Sequence, residues 1–456
     1  MSLWRHRDFL KLWIGQTISE IGSRITRDGL PLTAVLILGA SPLTMSVLRL
    51  ASFLPVSLFG LFIGVAVDRL ARRQLMMFAD VARGLLLLTI PVAAMFSHLH
   101  VWMLQVVAGV SGVLTLLFDV SYQAYVPWLV RREALAEANA KLSLTSAAAE
   151  VVGPGLTGVL VQTLTAPIAI FYDALSYFIS AFAMWRLSQA DTVNGNRSLD
   201  NHNPDSHNPD NHNPDNHNPD RRTADTLPAD IPADMHSAGT SSVRHDWRRE
   251  IAGGFALLMQ SRVLRALAGA AITLGFAGSM MGVLYTLYAI KTLGMSPWLF
   301  GLTVTMGGVG SLIGAALSSR LVRKFGYGPV IIAMLFLYGA ASLLIPLASG
   351  PLWRALVFMM AAQLFGDSTG VVYEILDVTL RQALTSDELL GRMNATIRVF
   401  ELALTAVGSV VAGVLGQFVG IRLTLTIAAI GMILSTMWLI FSPIRQMREL
   451  PTDDAA

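Results

Sequence analysis

A succession of long apolar runs, separated by short polar turns, dominates this chain. Each run reaches the roughly 20 residues that a helix needs to cross the hydrocarbon core of a bilayer, and we count about twelve. The runs are continuously apolar, which favours helices over a membrane β-barrel. The predicted fold is therefore an all-α polytopic membrane protein with twelve transmembrane helices. The predicted spans are residues 9–38, 43–67, 74–96, 101–126, 139–163, 167–187, 263–293, 297–321, 327–348, 352–380, 393–418 and 422–442.

The composition agrees with burial in lipid, because only 14% of the residues are charged, against roughly a quarter in soluble domains. The formal charge of +3 does not indicate a nucleic-acid partner, since the basic residues lie in turns on one side of the predicted spans. The positive-inside rule makes that side cytoplasmic and predicts a multi-pass inner-membrane protein with both termini in the cytoplasm. The exceptions are Lys291, Arg354 and Arg422.

The second half of the chain repeats features of the first at a displacement of about 250 residues. Two parallel six-helix units related by an axis along the membrane normal place a binding site near the midplane between them, as in secondary transporters. The expected architecture is therefore two pseudo-symmetric bundles. The matching segments are Asp68-Arg69-Leu-Ala-Arg72-Arg73 with Ser319-Arg320-Leu-Val-Arg323-Lys324, Leu135-Ala-Glu-Ala-Asn139 with Leu390-Gly-Arg-Met-Asn394, and Gly153 and Gly158 with Gly408 and Gly413.

A polar segment, residues 189–246, separates the two halves and cannot bury enough apolar surface to fold. We expect a disordered cytoplasmic linker, followed by an amphipathic interfacial helix over 247–262. The tandem His-Asn-Pro-Asp repeats of the linker are either a repeat expansion or a weak metal-binding segment. Repeat expansion is favoured, because the chain has no cysteine to accompany the histidines. The histidines of these repeats are His202, His207, His212 and His217. The predicted domains are the two bundles, 1–188 and 263–444, the linker 189–246, the interfacial helix 247–262 and the cytoplasmic tail 445–456.

Motifs of other function classes are missing from the sequence. It has no Walker loop for a nucleotide, no His-Glu-x-x-His or Gly-x-Ser-x-Gly motif, and no cysteine. We therefore expect neither an enzyme nor a bound cofactor or metal. A non-transporting sensor would need an ordered soluble output domain, which the linker does not offer.

Several motifs together resemble the major facilitator superfamily, and within it the branch of macrolide, drug and siderophore exporters. The resemblance covers everything except the linker and implies the twelve-helix fold of two bundles. The motifs are Gly15-Gln16 with Ser19 and Gly22, Leu30-Pro31-Leu32, the Asp68 loop, Asp80-Val-Ala-Arg83 and Leu389-Leu390-Gly391-Arg392-Met393-Asn394.

In such proteins the loop that contains Asp68 is a conformational latch. Gly64 would let the second helix approach a neighbour closely, and Asp68 would accept hydrogen bonds at the amino-terminal end of that neighbour, which we take to be the eleventh helix. Arg69, Arg72 and Arg73 either contribute to the latch or only set the membrane orientation. The second half has Ser319 where Asp68 stands, so its latch would be weaker.

A segment of the fifth helix resembles the antiporter signature of the same superfamily. It reads Gly153-Pro154-Gly155-Leu-Thr157-Gly158, with Thr157 at a position that is usually glycine. Proline bends a helix, and glycine permits close helix crossing. The resemblance favours export, although an ordinary kinked packing helix remains an alternative.

Placing an ionisable residue within the hydrocarbon core costs free energy, so such residues mark candidate functional positions. On the first helix, four such residues share one stripe, which either faces the central cavity or forms an internal ion ladder of Glu20, Arg24 and Asp28. Asp173 is interpreted as structural. The candidate residues for the proton and substrate cavity are Glu150, Asp367, Glu374, Asp119, Asp28, Glu20, Arg24, Arg398 and Glu401, and for an amphipathic wall Tyr122, Tyr125, Phe276, Met280, Met281, Tyr285 and Tyr288, the latter with packing as the alternative.

The sequence therefore predicts a monomeric, proton-coupled exporter of small amphipathic molecules such as drugs, macrolides or siderophores, working by alternating access. Its expected partners are the small-molecule cargo, protons and the lipid bilayer. A lipid-handling flippase of the same superfamily, proton-coupled import and a non-transporting sensor are the alternatives.

Overall fold

The computed structural model describes Leu3 and residues 6–187 and 258–450. The described residues contain helices and no strand, which confirms the all-α prediction. The predicted linker, 189–246, and most of the predicted amphipathic helix, 247–262, lie outside them. The long helices are α1 Arg7–Leu36, α2 Pro42–Arg69, α3 Arg72–Met95, α4 Val101–Leu129, α5 Leu135–Thr163, α6 Ala166–Trp185, α7 Arg262–Leu287, α8 Pro297–Phe325, α9 Tyr327–Ser342, α10 Leu352–Ala383, α11 Asp387–Phe418 and α12 Ile421–Ile440.

Within the described ranges, 11 helices are long and apolar enough to cross a membrane. The remaining long helix, α1, spans 30 residues but concentrates Glu20, Arg24, Arg27 and Asp28 in its middle. At a helical rise of roughly 1.5 Å per residue, α1 is long enough to cross the hydrocarbon core of a bilayer. Its place among the membrane spans stays a prediction.

Helix starts repeat between the two halves. Pro42 begins α2 after Ser41, whose hydroxyl accepts a hydrogen bond from the Thr44 amide at 3.2 Å. In the second half Pro297 begins α8 after Ser296, whose hydroxyl accepts from the Leu299 amide at 3.5 Å. Serine satisfies an amide that the helix leaves unpaired, and proline needs no partner at the first position.

The helices pack as two groups with one pattern. In the first group α1 contacts α5 and α6, α3 contacts α4 and α6, and α2 contacts α4. In the second group α7 contacts α11 and α12, α9 contacts α10 and α12, and α8 contacts α10. Between the groups, α5 packs on α8 and α11 packs on α2, which are equivalent pairs if the halves are exchanged. The sequence repeat is thus matched by a repeat of helix packing.

The start of the predicted tail, 445–456, packs against the second group of helices. The Gly328 amide donates to the Met447 carbonyl at 2.7 Å, and Ile444 is fully buried. A Cβ on Gly328 would overlap the Ile444 carbonyl, so glycine permits this approach. At the other junction, Leu258–Gln260 is helical and Ser261 then caps α7.

Candidate functional site

A cavity of about 830 Å³ lies between the two groups of helices. Its wall comes from α1, α2, α4 and α6 on one side and from α7 and α11 on the other. Both groups therefore contribute to one central space near mid-membrane. Among the described residues that line it, the charged ones are Arg27, Arg49, Asp119, Arg398 and Glu401.

The helix groups meet closely where α5 crosses α8. A Cβ on Gly301 of α8 would overlap the Pro154 carbonyl and would lie 3.0 Å from the Gly158 Cα of α5. A Cβ on Gly158 would lie 2.7 Å from the Pro297 carbonyl oxygen. Because backbone atoms oppose one another here, only glycine fits at this crossing. Gly158 of the antiporter-like segment thus forms a contact between the two groups.

The equivalent crossing of α11 on α2 is built from glycine in the same way. A Cβ on Gly413 would lie 2.7 Å from the Ser46 Cβ, and one on Gly416 would lie 3.0 Å from the Pro42 Cβ. Nearby, the Lys291 ammonium donates to the Gly39 and Ala40 carbonyls, each at 2.8 Å. We call this end of the molecule, which holds the α1–α2, α5–α6, α7–α8 and α11–α12 turns, the closed end.

Gly153 and Pro154 have separate roles within α5. A Cβ on Gly153 would lie 2.5 Å from the Arg24 Cβ, so this glycine brings α5 onto α1. Pro154 lies inside the helix and leaves it without one amide donor. The Thr157 hydroxyl donates to the Gly153 carbonyl at 2.8 Å, which occupies one acceptor at the bend. Gly155 faces α8, since its Cβ would lie 3.1 Å from the Thr305 hydroxyl.

The opposite end, which we call the open end, contains the predicted latch. In the described part of the chain, a Cβ on Gly64 or on Gly391 would meet no atom within 4 Å. The close approach of α2 to α11 that Gly64 was expected to permit is therefore not made at this glycine in this conformation. The Asp68 side chain lies outside what the structure describes. The latch stays a prediction for a conformation in which this end is closed.

The arginines beside Asp68 bind within their own helix group. Arg72 Nη1 donates to the Ala124 carbonyl of α4 at 3.2 Å. Arg73 donates to the Met184 carbonyl at 3.0 Å and to the Trp185 carbonyl at 2.7 Å, at the carboxyl end of α6. A cation there satisfies unpaired carbonyls and the helix dipole. Arg69 is exposed.

Replacing Gly64 with leucine tests whether this glycine is needed for closure. We expect little change in thermal stability, within about 0.5 kcal/mol, because the structure has open space there. Transport should fall roughly tenfold, because overpacking a close helix contact costs about 1–3 kcal/mol. Transport by purified protein in vesicles measures the effect, and an unchanged rate would remove Gly64 from the latch.

Arg24 lies at the centre of an ion cluster between α1 and α5. It is 9% exposed, and its Nη1 donates to Glu150 Oε1 at 3.0 Å. Glu20 Oε1 lies 3.8 Å from Arg24 Nη2, and Arg27 Nη1 lies 4.0 Å from Glu150 Oε1. In the part of the chain described here, Asp28 has no cation within 4.0 Å. The structure thus joins Glu20 and Arg24 to Glu150 rather than forming a ladder through Asp28.

A buried ion pair in α3 is the feature that sequence reasoning did not select as a site. Asp80 and Arg83 are 0% and 3% exposed and form a direct hydrogen-bonded pair. The Arg83 guanidinium lies 4.2 Å from the Tyr177 ring centroid and 4.8 Å from that of Phe118. The spacing of three residues within an apolar run was the available signal. The exposed Asp119 carboxylate interacts electrostatically with Arg83 and lines the cavity.

Asp173 is fully buried between α1 and α6. It accepts a hydrogen bond from the Thr26 hydroxyl and another from the Ser176 hydroxyl at 3.1 Å. A Cβ on Gly22 would overlap the Ser176 hydroxyl, so the helices must be close here. This environment fits the structural role predicted for Asp173.

The acidic residues of the second half occupy two places. Glu401 lies 3.7 Å from both Arg381 and Arg398, and Arg381 also pairs with Asp377 at 2.7 Å. This network joins α10 to α11 beside the cavity. Of the residues on α10, Asp367 and Glu374 are not among those lining the cavity. The half-buried Asp367 carboxylate would meet a Cβ on Gly307 of α8, and Glu374 is exposed.

The predicted amphipathic wall is mostly protein core. Tyr125 is 0% exposed, and Met280 and Tyr288 are each 1% exposed. The Tyr288 hydroxyl donates to the Ala348 carbonyl at 2.8 Å, which gives the buried phenol a partner. For these residues the packing alternative describes the structure.

Comparison with known sequences identifies a family. The sequence pattern of the Major Facilitator Superfamily matches residues 12–375 and 267–455. The chain is 29% identical over 178 residues to macrolide efflux protein A of Streptococcus pyogenes, covering 39% of this chain and 43% of that protein. It is 26% identical over 186 residues to the uncharacterized MFS-type transporter YfiS of Bacillus subtilis (strain 168), covering 40% of this chain and 42% of that protein. The match thus spans less than half the length of these relatives.

Solved structures of other transporters align with this chain over nearly its whole length. A bacterial homologue of the iron transporter ferroportin in the inward-facing state aligns with a TM-score of 0.66 at 16% identity, over 96% of this chain and 99% of that one. The nucleoside transporter NupG aligns with a TM-score of 0.69 at 8% identity, over 95% of this chain and 99% of that one. At these identities the likeness shows the fold alone.

Proposed function

Because the chain belongs to the major facilitator superfamily and is a membrane transporter, we propose that it is a proton-coupled exporter of small amphipathic molecules. Export is supported by the partial similarity to macrolide efflux protein A. The proposed orientation follows the positive-inside rule, with the open end and both termini at the cytoplasm of the inner membrane. The proposed acting unit is a monomer.

The observation that carries proton coupling is the ion cluster of α1 and α5. Glu150 pairs with Arg24 at 3.0 Å while 53% of its side chain stays exposed, so water can reach it. A proton on Glu150 would cancel its charge and weaken its hold on Arg24. Ionisable groups in this position serve as proton relays in pumps and transporters.

The position of Glu150 suggests how its protonation is coupled to movement. A Cβ on Gly308 of α8 would lie 3.1 Å from the Glu150 carbonyl oxygen, so Glu150 is at the α5–α8 crossing. The neighbouring Gly307 faces Asp367 of α10. A change in charge on Asp367 therefore acts directly on α8, whereas the Glu150 carboxylate acts on Arg24 of α1 and its backbone contacts α8. The two halves must separate at α8 to open the closed end. Asp367 is the second candidate for the proton site.

The driving force is adequate for export. A proton that moves down a membrane potential releases about 2.3 kcal/mol per 100 mV. Alternating access converts this into uphill transport if the protonated and unprotonated forms favour different conformations. The central cavity is the proposed cargo site, and Asp68 is the proposed latch residue at the cytoplasmic end.

The experiment compares the parent with Glu150→Gln in proteoliposomes under an imposed pH gradient. The cargo panel is a macrolide, 2-naphthylmethanol and 2-naphthoate, and a trapped pH-sensitive dye reports proton movement. We expect cargo-dependent proton flux in the parent and at least a tenfold loss in the variant, while downhill exchange of cargo continues. Undiminished gradient-driven flux in Glu150→Gln would reject its role.

Glu137→Gln is the matched control. Glu137 lies on the same helix and pairs with Lys141 at 3.4 Å, with 43% of its side chain exposed. It is removed from the α5–α8 crossing, so its loss should leave proton flux within twofold of the parent. Asp68→Asn is measured beside it, and we expect slower transport with proton dependence retained, because a latch affects closure rather than protonation.

A further inference from the structure

Arg49 is a charged residue near the start of α2 that no motif explained. It lines the central cavity, and its Nη2 would lie 3.9 Å from a Cβ on Gly282 of α7. The guanidinium therefore reaches from the first half toward the second, inside the membrane. Burying an arginine at this depth costs free energy, so the side chain normally pairs with an acid, a carbonyl or a ligand.

Arg49 has no acidic partner among the described residues. In residues 6–187 and 258–450, no salt bridge or hydrogen bond is made by its side chain, and the charged group that interacts with it electrostatically is another cation, Arg27. Arg27 itself is only weakly paired, since Glu150 is 4.0 Å away and is bound more closely by Arg24 at 3.0 Å. The side chain of Arg27 is 63% exposed toward the cavity. Two guanidinium groups thus face the cavity together.

The remaining charges of the cavity have partners of their own. Glu401 is shared by Arg381 and Arg398 at 3.7 Å each. Asp119 interacts electrostatically with Arg83. The arginine pair lies toward the closed end, close to the α2–α11 crossing. Among the described residues, Asp28, Glu150 and Glu20 act electrostatically on Arg27 but not on Arg49, so the cavity stays positive around Arg49.

The surroundings of the arginine pair suit one part of an amphipathic molecule. Thr26 and Ser52 line the same region, although their hydroxyls already donate to Asp173 and to the Leu48 carbonyl. Leu48 and Phe53 line it with apolar surface. Arginine presents a planar fork of donors that binds carboxylate or phosphate oxygens in pairs. Guanidinium donors beside apolar walls match an anionic head on a hydrophobic body.

We propose that Arg49, together with Arg27, binds the anionic group of an amphipathic cargo at the closed end of the cavity. This rests on the proposed function only in treating the cavity as the cargo site. The class selected is an amphipathic anion bearing a carboxylate, sulfonate or phosphate. Binding would supply the missing negative charge and would touch α2 beside α7, where the two halves face each other.

The test measures equilibrium binding without any gradient, using full-length protein in nanodiscs. The probes share one ring system and differ in charge: 2-naphthoate, 2-naphthylmethanol and 2-naphthylmethylamine. We expect the parent to bind the anion at least tenfold more tightly than the amine. Arg49→Gln should weaken anion binding roughly 10- to 100-fold, as for loss of a charged hydrogen bond, and should change binding of the alcohol less than threefold.

Two further variants separate recognition from misfolding. Arg49→Lys keeps the charge and should recover part of the anion preference, whereas Arg354→Gln removes an exposed arginine elsewhere and should leave all three affinities unchanged. Equal binding of the three probes by the parent, or equal losses for all three in Arg49→Gln, would overturn the proposal. Charge selectivity without proton-driven flux would instead reject only the proposed coupling. Proton-driven flux of 2-naphthylmethanol without preferential binding of 2-naphthoate would reject only the anion site.

Discussion

Replacing Gly301 with alanine should destabilise the closed end and shift the transporter toward a conformation open on that side. The added Cβ would overlap the Pro154 carbonyl and would come within 3.0 Å of the Gly158 Cα. Both obstacles are backbone atoms, so the helices must separate rather than a side chain rotate. Overpacking of about 1–3 kcal/mol corresponds to a roughly 10- to 100-fold change in the population of the closed end. Transport should fall by a similar factor.

Cysteine accessibility measures this shift directly, since the chain has no native cysteine. Ala40, 3% exposed at the closed end, is replaced with cysteine and labelled with a membrane-impermeant maleimide. Gly301→Ala should raise the labelling rate at least tenfold. Gly60→Ala is the matched control, because among the described side chains its Cβ would meet a Leu116 methyl at 3.6 Å and nothing nearer. Equal labelling in both variants would contradict the glycine-dependent closure.

Replacing Arg83 with methionine should cause the largest loss of stability. The variant leaves the fully buried Asp80 without the cation that it binds, and it also removes the ring contacts with Tyr177 and Phe118. Removing one partner of a buried pair costs about 3–5 kcal/mol. The measurement is reversible unfolding of the purified protein in mixed micelles.

A double variant separates the stranded charge from lost packing. Asp80→Leu with Arg83→Met removes both charges, and it should be more stable than Arg83→Met alone, because replacing a whole buried pair with apolar residues is often neutral. Arg354→Met, at an exposed position, should change stability by less than about 0.5 kcal/mol. An Arg83→Met variant as stable as the parent would show that the pair carries little of the folding free energy.

The fold was accessible from sequence because lipid imposes a simple rule on the backbone. Every predicted span overlaps a long helix of the structure, since continuous apolar segments in a bilayer must satisfy their hydrogen bonds internally. The repeat was also readable, and Gly153 and Gly408 now have equivalent places, against Arg24 of α1 and against Ser279 of α7. Local chemistry was enough for these features.

The partners of the charged residues were harder to predict. Arg24 and Asp28 are four residues apart on α1, a spacing that suits a ladder, but Arg24 pairs with Glu150, which is distant in sequence. Arg49 lies within an apolar run whose spacing does not indicate a role, because that role depends on the lack of an acid around it among the described residues. Sequence spacing describes neighbours on one helix and not those across a cavity.

The sequence by itself determined the membrane-spanning helices, the duplicated plan and the glycines that permit close crossing, because apolar length, repetition and the lack of a Cβ are local properties. Only the tertiary structure decided which end is closed, that Gly64 is away from close contact, and that Arg49 faces the cavity with no acidic partner among the described residues. Those features depend on how the two halves are placed against each other. The proposed transport by alternating access needs more than one such placement, so no single placement can be read from the sequence.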